Sequence, residues 1–77
     1  MLIMKFVIAG NYRQFTNYCR ENRLQPNKDV RYVGRPEDTR GVRNVEIIKY
    51  GTWWENPAAN DILELERAGY FTSVTEK

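Results

Sequence analysis

The chain has 77 residues, with 12 Lys and Arg against 10 Asp and Glu, no His, one Cys and a formal net charge of +2. That length makes a single domain, 1–77, with a modest core, because a domain of about 60 residues buries only about 60% of the surface its unfolded chain exposes; self-association into a homo-oligomer is therefore an open reading. No stretch approaches the roughly 20 apolar residues of a membrane span, Lys5 interrupts the leading apolar run where a signal peptide would be continuous, and one Cys without His speaks against zinc.

Leu2 to Ala9 is an apolar run of strand length ending at Gly10, and predicts a central strand covered on both faces. Phe15, Tyr18 and Cys19 then recur at spacings of three and four among Arg13, Arg20, Glu21 and Arg23, which predicts an amphipathic helix over about 12–24. Pro26-Asn27 is expected to end it. Val30 to Val33 is a short second strand before Gly34. Pro36, Glu37 and Asp38 look like a helix start, with proline first and acids where the dipole favours them, stopped after one turn by Gly41. Val45 to Tyr50 is the third strand, again followed by a glycine, Gly51. Thr52 to Pro57 leads into a second helix, with Asn56 as candidate cap, Pro57 at the first helical position and an apolar face of Ala58, Ala59, Ile62, Leu63 and Leu65 closed by Gly69. Tyr70 to Thr75 could add a short edge strand before a frayed tail.

This order admits two α/β arrangements. A half-Rossmann-like three-layer unit, β-α-β-(short α)-β-α with a fourth edge strand, makes the strands parallel, whereas a ferredoxin-like βαββαβ fold pairs the second and third as an antiparallel hairpin. The parallel arrangement is favoured because Gly10, Gly34 and Gly51 each follow a strand directly and would gather on one rim, at the carboxyl ends where open α/β sheets bind ligands. Only about ten residues separate the second and third strands, which is short for a crossover.

That rim would collect Asn11, Tyr12 and Arg13 from the first turn, Arg35 and Arg40 from the second, and Thr52, Trp53, Trp54 and Glu55 from the third. A helix amino end and guanidinium forks suit a phosphate or carboxylate, and an indole stacks on a base or a guanidinium. Two consecutive tryptophans cannot both point inward easily, so one is expected to be packing and the other an anchor for a partner. A dinucleotide fingerprint would need glycines where Tyr12 and Phe15 stand, and no Walker A sequence is present. Catalysis has little to stand on. No His is available as a base, the one serine, Ser73, lies near the end of the chain, and Cys19 sits on the apolar face of its helix, where a buried thiol is the simpler reading. Glu37-Asp38 fits a helix start, and Glu64 and Glu66 fall on different sides of the last helix. The chain is accordingly expected to be no enzyme and to carry no cofactor.

Asp38-Thr39-Arg40-Gly41-Val42 followed by Val45-Glu46-Ile47-Ile48 has a local resemblance to the Arg-Gly motif before a strand in the second lobe of superfamily 2 helicases, where that segment touches nucleic acid and nucleotide. Across most of the chain, Ile-Ala-Gly-Asn-Tyr-Arg-Gln-Phe, Arg-Gly-Val-Arg-Asn-Val-Glu-Ile-Ile and Gly-Thr-Trp-Trp-Glu-Asn-Pro look like the small single-domain α/β accessory proteins of tailed bacteriophages. The resemblance implies a protein that binds and blocks a host factor, or sequesters a small ligand, in the host cytoplasm, a compartment that also suits an unpaired Cys19.

Charge is unevenly distributed. Residues 1–54 hold ten Lys/Arg and five Asp/Glu, and residues 55–77 hold two and five. The overall surplus is too mild to declare a nucleic-acid protein. The leading expectation is a non-catalytic binder of a host protein or small anionic, nucleotide-like ligand through the Arg/Trp rim. The alternative is a single-stranded nucleic-acid module that stacks bases on Tyr and Trp.

Overall fold

A computed structural model describes residues 5–39 and 45–77. Its elements are β1 (Lys5–Ala9), α1 (Tyr12–Glu21), β2 (Arg31–Val33), a 3₁₀ turn at Pro36–Thr39, β3 (Val45–Tyr50), a second 3₁₀ turn at Trp53–Glu55, α2 (Ala59–Arg67) and β4 (Phe71–Glu76). Leu2 to Met4 of the first predicted strand, and residues 40–44 of the Arg-Gly segment, Arg40 and Gly41 among them, lie outside the described residues.

The strands form one sheet in the order β2-β1-β3-β4, and every neighbouring pair is parallel. The parallel arrangement expected from the glycine positions is the one observed, and the ferredoxin-like hairpin is not. β1 is central, with Val7 aligned to Tyr32 on one side and Ile48 on the other. Its residues Phe6 to Ala9 are all buried, as expected of a strand covered on both faces.

Two apolar layers account for that burial. On one face Val7, Ala9 and Ile48 meet Phe15, Tyr18 and Cys19 of α1, together with Val30. On the other, Phe6, Ile8, Val33, Val45 and Ile47 meet Ala58, Ala59 and Ile62 of the α2 segment. Period-two strands and period-3.6 helices thus deliver a three-layer α/β unit.

The helix ends differ from the sequence reading for local reasons. α1 stops at Glu21, several residues before Pro26. Arg23 takes a left-handed backbone (φ 56°), its N–H donates to the Arg20 carbonyl, and the Leu24 N–H reaches back to the Cys19 carbonyl at 2.8 Å. These are the two hydrogen bonds of a Schellman stop, here without the usual glycine. α2 ends with the same pair, Gly69 to Glu66 and Tyr70 to Leu65, and there the left-handed residue is the expected Gly69 (φ 81°). The start of α2 is displaced as well. Pro57 and Ala58 form a turn and the helix begins at Ala59. Of the predicted apolar face, Ala58, Ala59 and Ile62 are buried while Leu63 is exposed.

One cation lies inside the α2 layer. Lys49 projects from β3 onto that face, is buried, donates to the Glu66 carboxylate at 2.8 Å and lies 4.7 Å from the centre of the Trp53 ring. Helix and strand are thereby tied by a charge that has both an anion and an aromatic face, the usual requirement for burying an ammonium group.

Candidate binding rim

Because all strands run the same way, the turns after β1, β2 and β3 meet on one rim, and the predicted residues divide there into those that build it and those that face outward. Asn11 builds it. Its extended backbone precedes α1, and its side-chain oxygen accepts the Gln14 N–H at 2.9 Å. Gln14 then reaches across the sheet. Its carbonyl oxygen accepts the Gly10 N–H (2.9 Å) and the Thr52 N–H (3.1 Å), and its amide donates to the Thr52 hydroxyl at 2.9 Å. Thr52 is therefore committed to this staple, and a Cβ at Gly10 would lie within 2.9 Å of the Thr52 carbonyl oxygen.

A second carboxamide fills the other half of the rim. Asn56, 4% exposed, donates to the Ala9 carbonyl at 2.8 Å and the Val33 carbonyl at 2.7 Å, and accepts the Ala58 N–H at 2.8 Å. It closes the ends of β1 and β2 as Gln14 closes β1 and β3. The crevice at the carboxyl ends of an open α/β sheet is where a small ligand ordinarily lodges; here two of the chain's own side chains occupy it.

Neither carboxamide was assigned this role from sequence. Asn11-x-x-Gln14 carries the capping-box pattern, in which the residue three after the cap turns back toward an exposed N–H, so Gln14 had a local signal; its partner Thr52, 38 positions away, had none. Asn56 was expected to cap a helix. It caps the Pro57-Ala58 turn, and its donors go to strand carbonyls that only the tertiary fold brings within reach.

The remaining predicted residues lie outside this plug. Tyr12 is about half exposed and packs edge-on against Tyr32 with ring centres 5.3 Å apart. Arg13 and Arg35 are exposed. The Arg35 N–H, with that of Gly34, donates to the Asp38 carboxylate at 3.0 Å, which fixes the turn after β2 and leaves the acid engaged with backbone. Arg40 lies outside the described residues. The tryptophans separate as two consecutive residues on a tight turn must. Trp53 is half-buried against the α2-face core, its indole N–H enclosed without a hydrogen-bond partner among the described residues, whereas Trp54 is 62% exposed, 6.1 Å from it in an edge-on arrangement. Glu55 is exposed beside it.

No protein family, curated protein or solved structure matches this chain. The rim's chemistry must be taken from its own residues. Burial pushes the Tyr32 phenol above its ordinary value of 10.0, against the lowering effect of Asn56. On the α1 face, burial, followed by Asp29, raises the Cys19 thiol, leaving it protonated and enclosed away from the rim. Among the described residues no three acidic, Cys or His side chains are grouped to hold a metal ion. No helix among them is long and apolar enough to cross a membrane. The rim as built offers a closed floor, an exposed indole, a phenol and two guanidinium groups.

Proposed function

We infer that the protein is a non-catalytic binding module that docks on a partner protein through this rim, with Trp54 as the anchor and Tyr12, Arg13 and Arg35 around it. The observation that carries the reading is the contrast between neighbours: Trp53 is half-buried against the core while Trp54 stands 62% exposed on a turn held by the Gln14–Thr52 staple. A large rigid aromatic group on a fixed turn, on a rim that also exposes two guanidinium groups, is the composition in which protein interfaces concentrate their binding energy. Filling of the crevice by Gln14 and Asn56 favours a broad partner surface over an enclosed small anion. Together with the resemblance to tailed-phage accessory proteins, this supports an accessory factor that covers and blocks a host protein in the host cytoplasm.

The second reading, a single-stranded nucleic-acid module, is favoured by the half-exposed Tyr12 ring next to Arg13, a pairing that stacks a base and holds its phosphate. Affinity capture from host lysate, with wild type and a Trp54→Ala/Arg13→Ala variant compared at low and high salt, tests both. A protein retained by wild type at both salt concentrations and lost by the folded variant supports the docking reading. Equal capture by the variant refutes the rim. Retention of nucleic acid that falls steeply with salt moves the assignment to the second reading.

A further inference from the structure

The two edges of the sheet are built differently. β2 spans three residues, exposes Arg31 and adjoins an isolated bridge between Pro26 and Val30; shortness, a proline and a charge all discourage pairing with another chain. β4 spans six residues, Phe-Thr-Ser-Val-Thr-Glu, and from Ala68 to Thr75 the sequence has neither a charge nor a proline. Every residue of β4 except Phe71 is exposed, and among the described residues no strand lies beyond it.

The direction of its free backbone groups follows from the register. Lys49 aligns with Glu76, and the Lys49 carbonyl accepts the Lys77 N–H at 2.8 Å. Along a parallel ladder the N–H and C=O of one residue point to the same side and those of the next to the other. Lys77, Thr75 and Ser73 therefore face β3, and Val74 and Glu76 turn their N–H and C=O groups outward. The irregularity in this pairing lies at Val45/Glu46, so Ser73 to Glu76 run in unbroken register.

We propose that this edge joins two copies of the chain: β4 pairs antiparallel with β4 of a second copy about a two-fold axis at Val74, making one eight-stranded sheet from two four-stranded ones. An axis there sets the outward-facing Val74 against its own counterpart and brings Glu76 opposite Thr72, the residue of β4 at the register irregularity. Charge decides both the occupant and the direction. The amino end of β4 follows Glu66, which is bonded to Lys49, and Arg67, and its carboxyl end carries Glu76 and then Lys77. Antiparallel pairing keeps Glu76 from Glu76 and Lys77 from Lys77 and turns each Glu76 toward the end that follows Arg67 in the other copy, whereas parallel pairing in register would set each charge beside its like. The uncharged stretch between them contains nothing that repels its own copy. Val74, 36% exposed and aligned with Ile47 on the α2 face, gains its counterpart as an apolar neighbour. The contact is isologous and closes at two copies. It leaves the rim free, so it stands or falls independently of partner docking.

The test is sedimentation velocity on the whole chain from low micromolar to submillimolar concentration, with amide hydrogen exchange at each end of the range. The expected result is a concentration-dependent rise from 9.1 kDa toward twice that mass. The Val74 and Glu76 amides should slow by about tenfold or more as the dimer fills by mass action, while the inward-bonded Thr75 and Lys77 amides change little. Val74→Pro removes the central outward N–H, a substitution an edge strand accepts, and should give a folded monomer at every concentration. Should that variant fail to fold, Val74→Lys, which sets two like charges at the axis, must weaken the dimer instead. A wild type that stays monomeric, a dimer that leaves the Val74 and Glu76 amides unprotected, or a folded variant that dimerises normally overturns the proposal.

Discussion

Asn56→Asp exchanges one NH2 for an oxygen at the most enclosed polar side chain of the rim and changes almost nothing in shape. The carboxamide donates to the Ala9 and Val33 carbonyls at 2.8 and 2.7 Å and accepts from the Ala58 N–H at 2.8 Å, at 4% exposure. The acid keeps the acceptor and loses both donors, so two strand-end carbonyls face an oxygen. Two lost hydrogen bonds at about 1 kcal/mol each, with a further 1–3 kcal/mol or so for buried groups left unsatisfied, give a loss of about 3–5 kcal/mol. A domain of this length has a total stability of roughly 4–12 kcal/mol, so the loss is a large fraction; at about 4–8 °C per kcal/mol, Tm should fall by at least 12 °C or so. The new carboxyl is favoured protonated in the folded state, since burial and two carbonyls disfavour its anion. Its folded pKa thus lies above the unfolded value, and the variant should recover part of the loss as pH falls from 7 toward about 4. Urea denaturation of wild type and variant at pH 7 and pH 4.5 measures both effects. A difference under about 1 kcal/mol at pH 7 would refute the bridging role assigned to Asn56.

The other expectations are smaller and separate cleanly. Arg23→Gly should stabilise the protein by about 1 kcal/mol in urea titration with an unchanged m-value, because Arg23 holds the left-handed position of the α1 stop (φ 56°) where glycine avoids the Cβ clash; a loss would show that the Arg23 side chain contributes contacts of its own. Trp53→Ala should cost about 2 kcal/mol, half the usual cost of a buried tryptophan, and Trp54→Ala less than about 0.5 kcal/mol. Acrylamide should quench the Trp54 emission more readily than that of Trp53. At alkaline pH stability should fall. Burial raises Cys19 above 9.0 and Tyr18 and Tyr32 above 10.0, while the hydrogen bond to Glu21 leads the rise of Tyr50 above 10.0. Groups with raised folded pKa values give stability that is complete below their unfolded values and lost as pH rises through the folded ones. Denaturation midpoints should therefore decline from about pH 9 upward, and Cys19→Ala should remove the earliest part of that decline.

Much of the fold was legible because it depends on local patterning. The apolar run ending at Ala9, the three-four spacing of Phe15, Tyr18 and Cys19, and a glycine after each of the first three strands are near-neighbour signals, and together they gave the parallel three-layer arrangement. The helix ends were less legible, because the Arg23 stop uses backbone hydrogen bonds that a non-glycine side chain conceals in the sequence. The outward Tyr12, Arg13, Arg35 and Trp54 were named from residue type and turn position, and the structure places them on the outer surface of the rim. Which tryptophan would be packed was beyond local pattern; the Lys49 and Ile62 side of the sheet, supplied by distant segments, takes Trp53 inward. Gln14 and Asn56 were missed as closures for the same reason, since their partners lie up to 47 positions away.

The parallel register has a consequence for how the chain reaches this state. Val7 must find Tyr32, 25 positions on, and Ile48, 41 positions on; Ile48 must find Thr75, 27 further. Without a hairpin among these pairings, no short stretch can zip up early, and each contact closes a long loop before it gains anything. During synthesis β1 leaves the ribosome as a bare apolar strand and acquires its second neighbour only when β3 has emerged. For a chain this small, the interval before that point is when it is most open to capture by other strands.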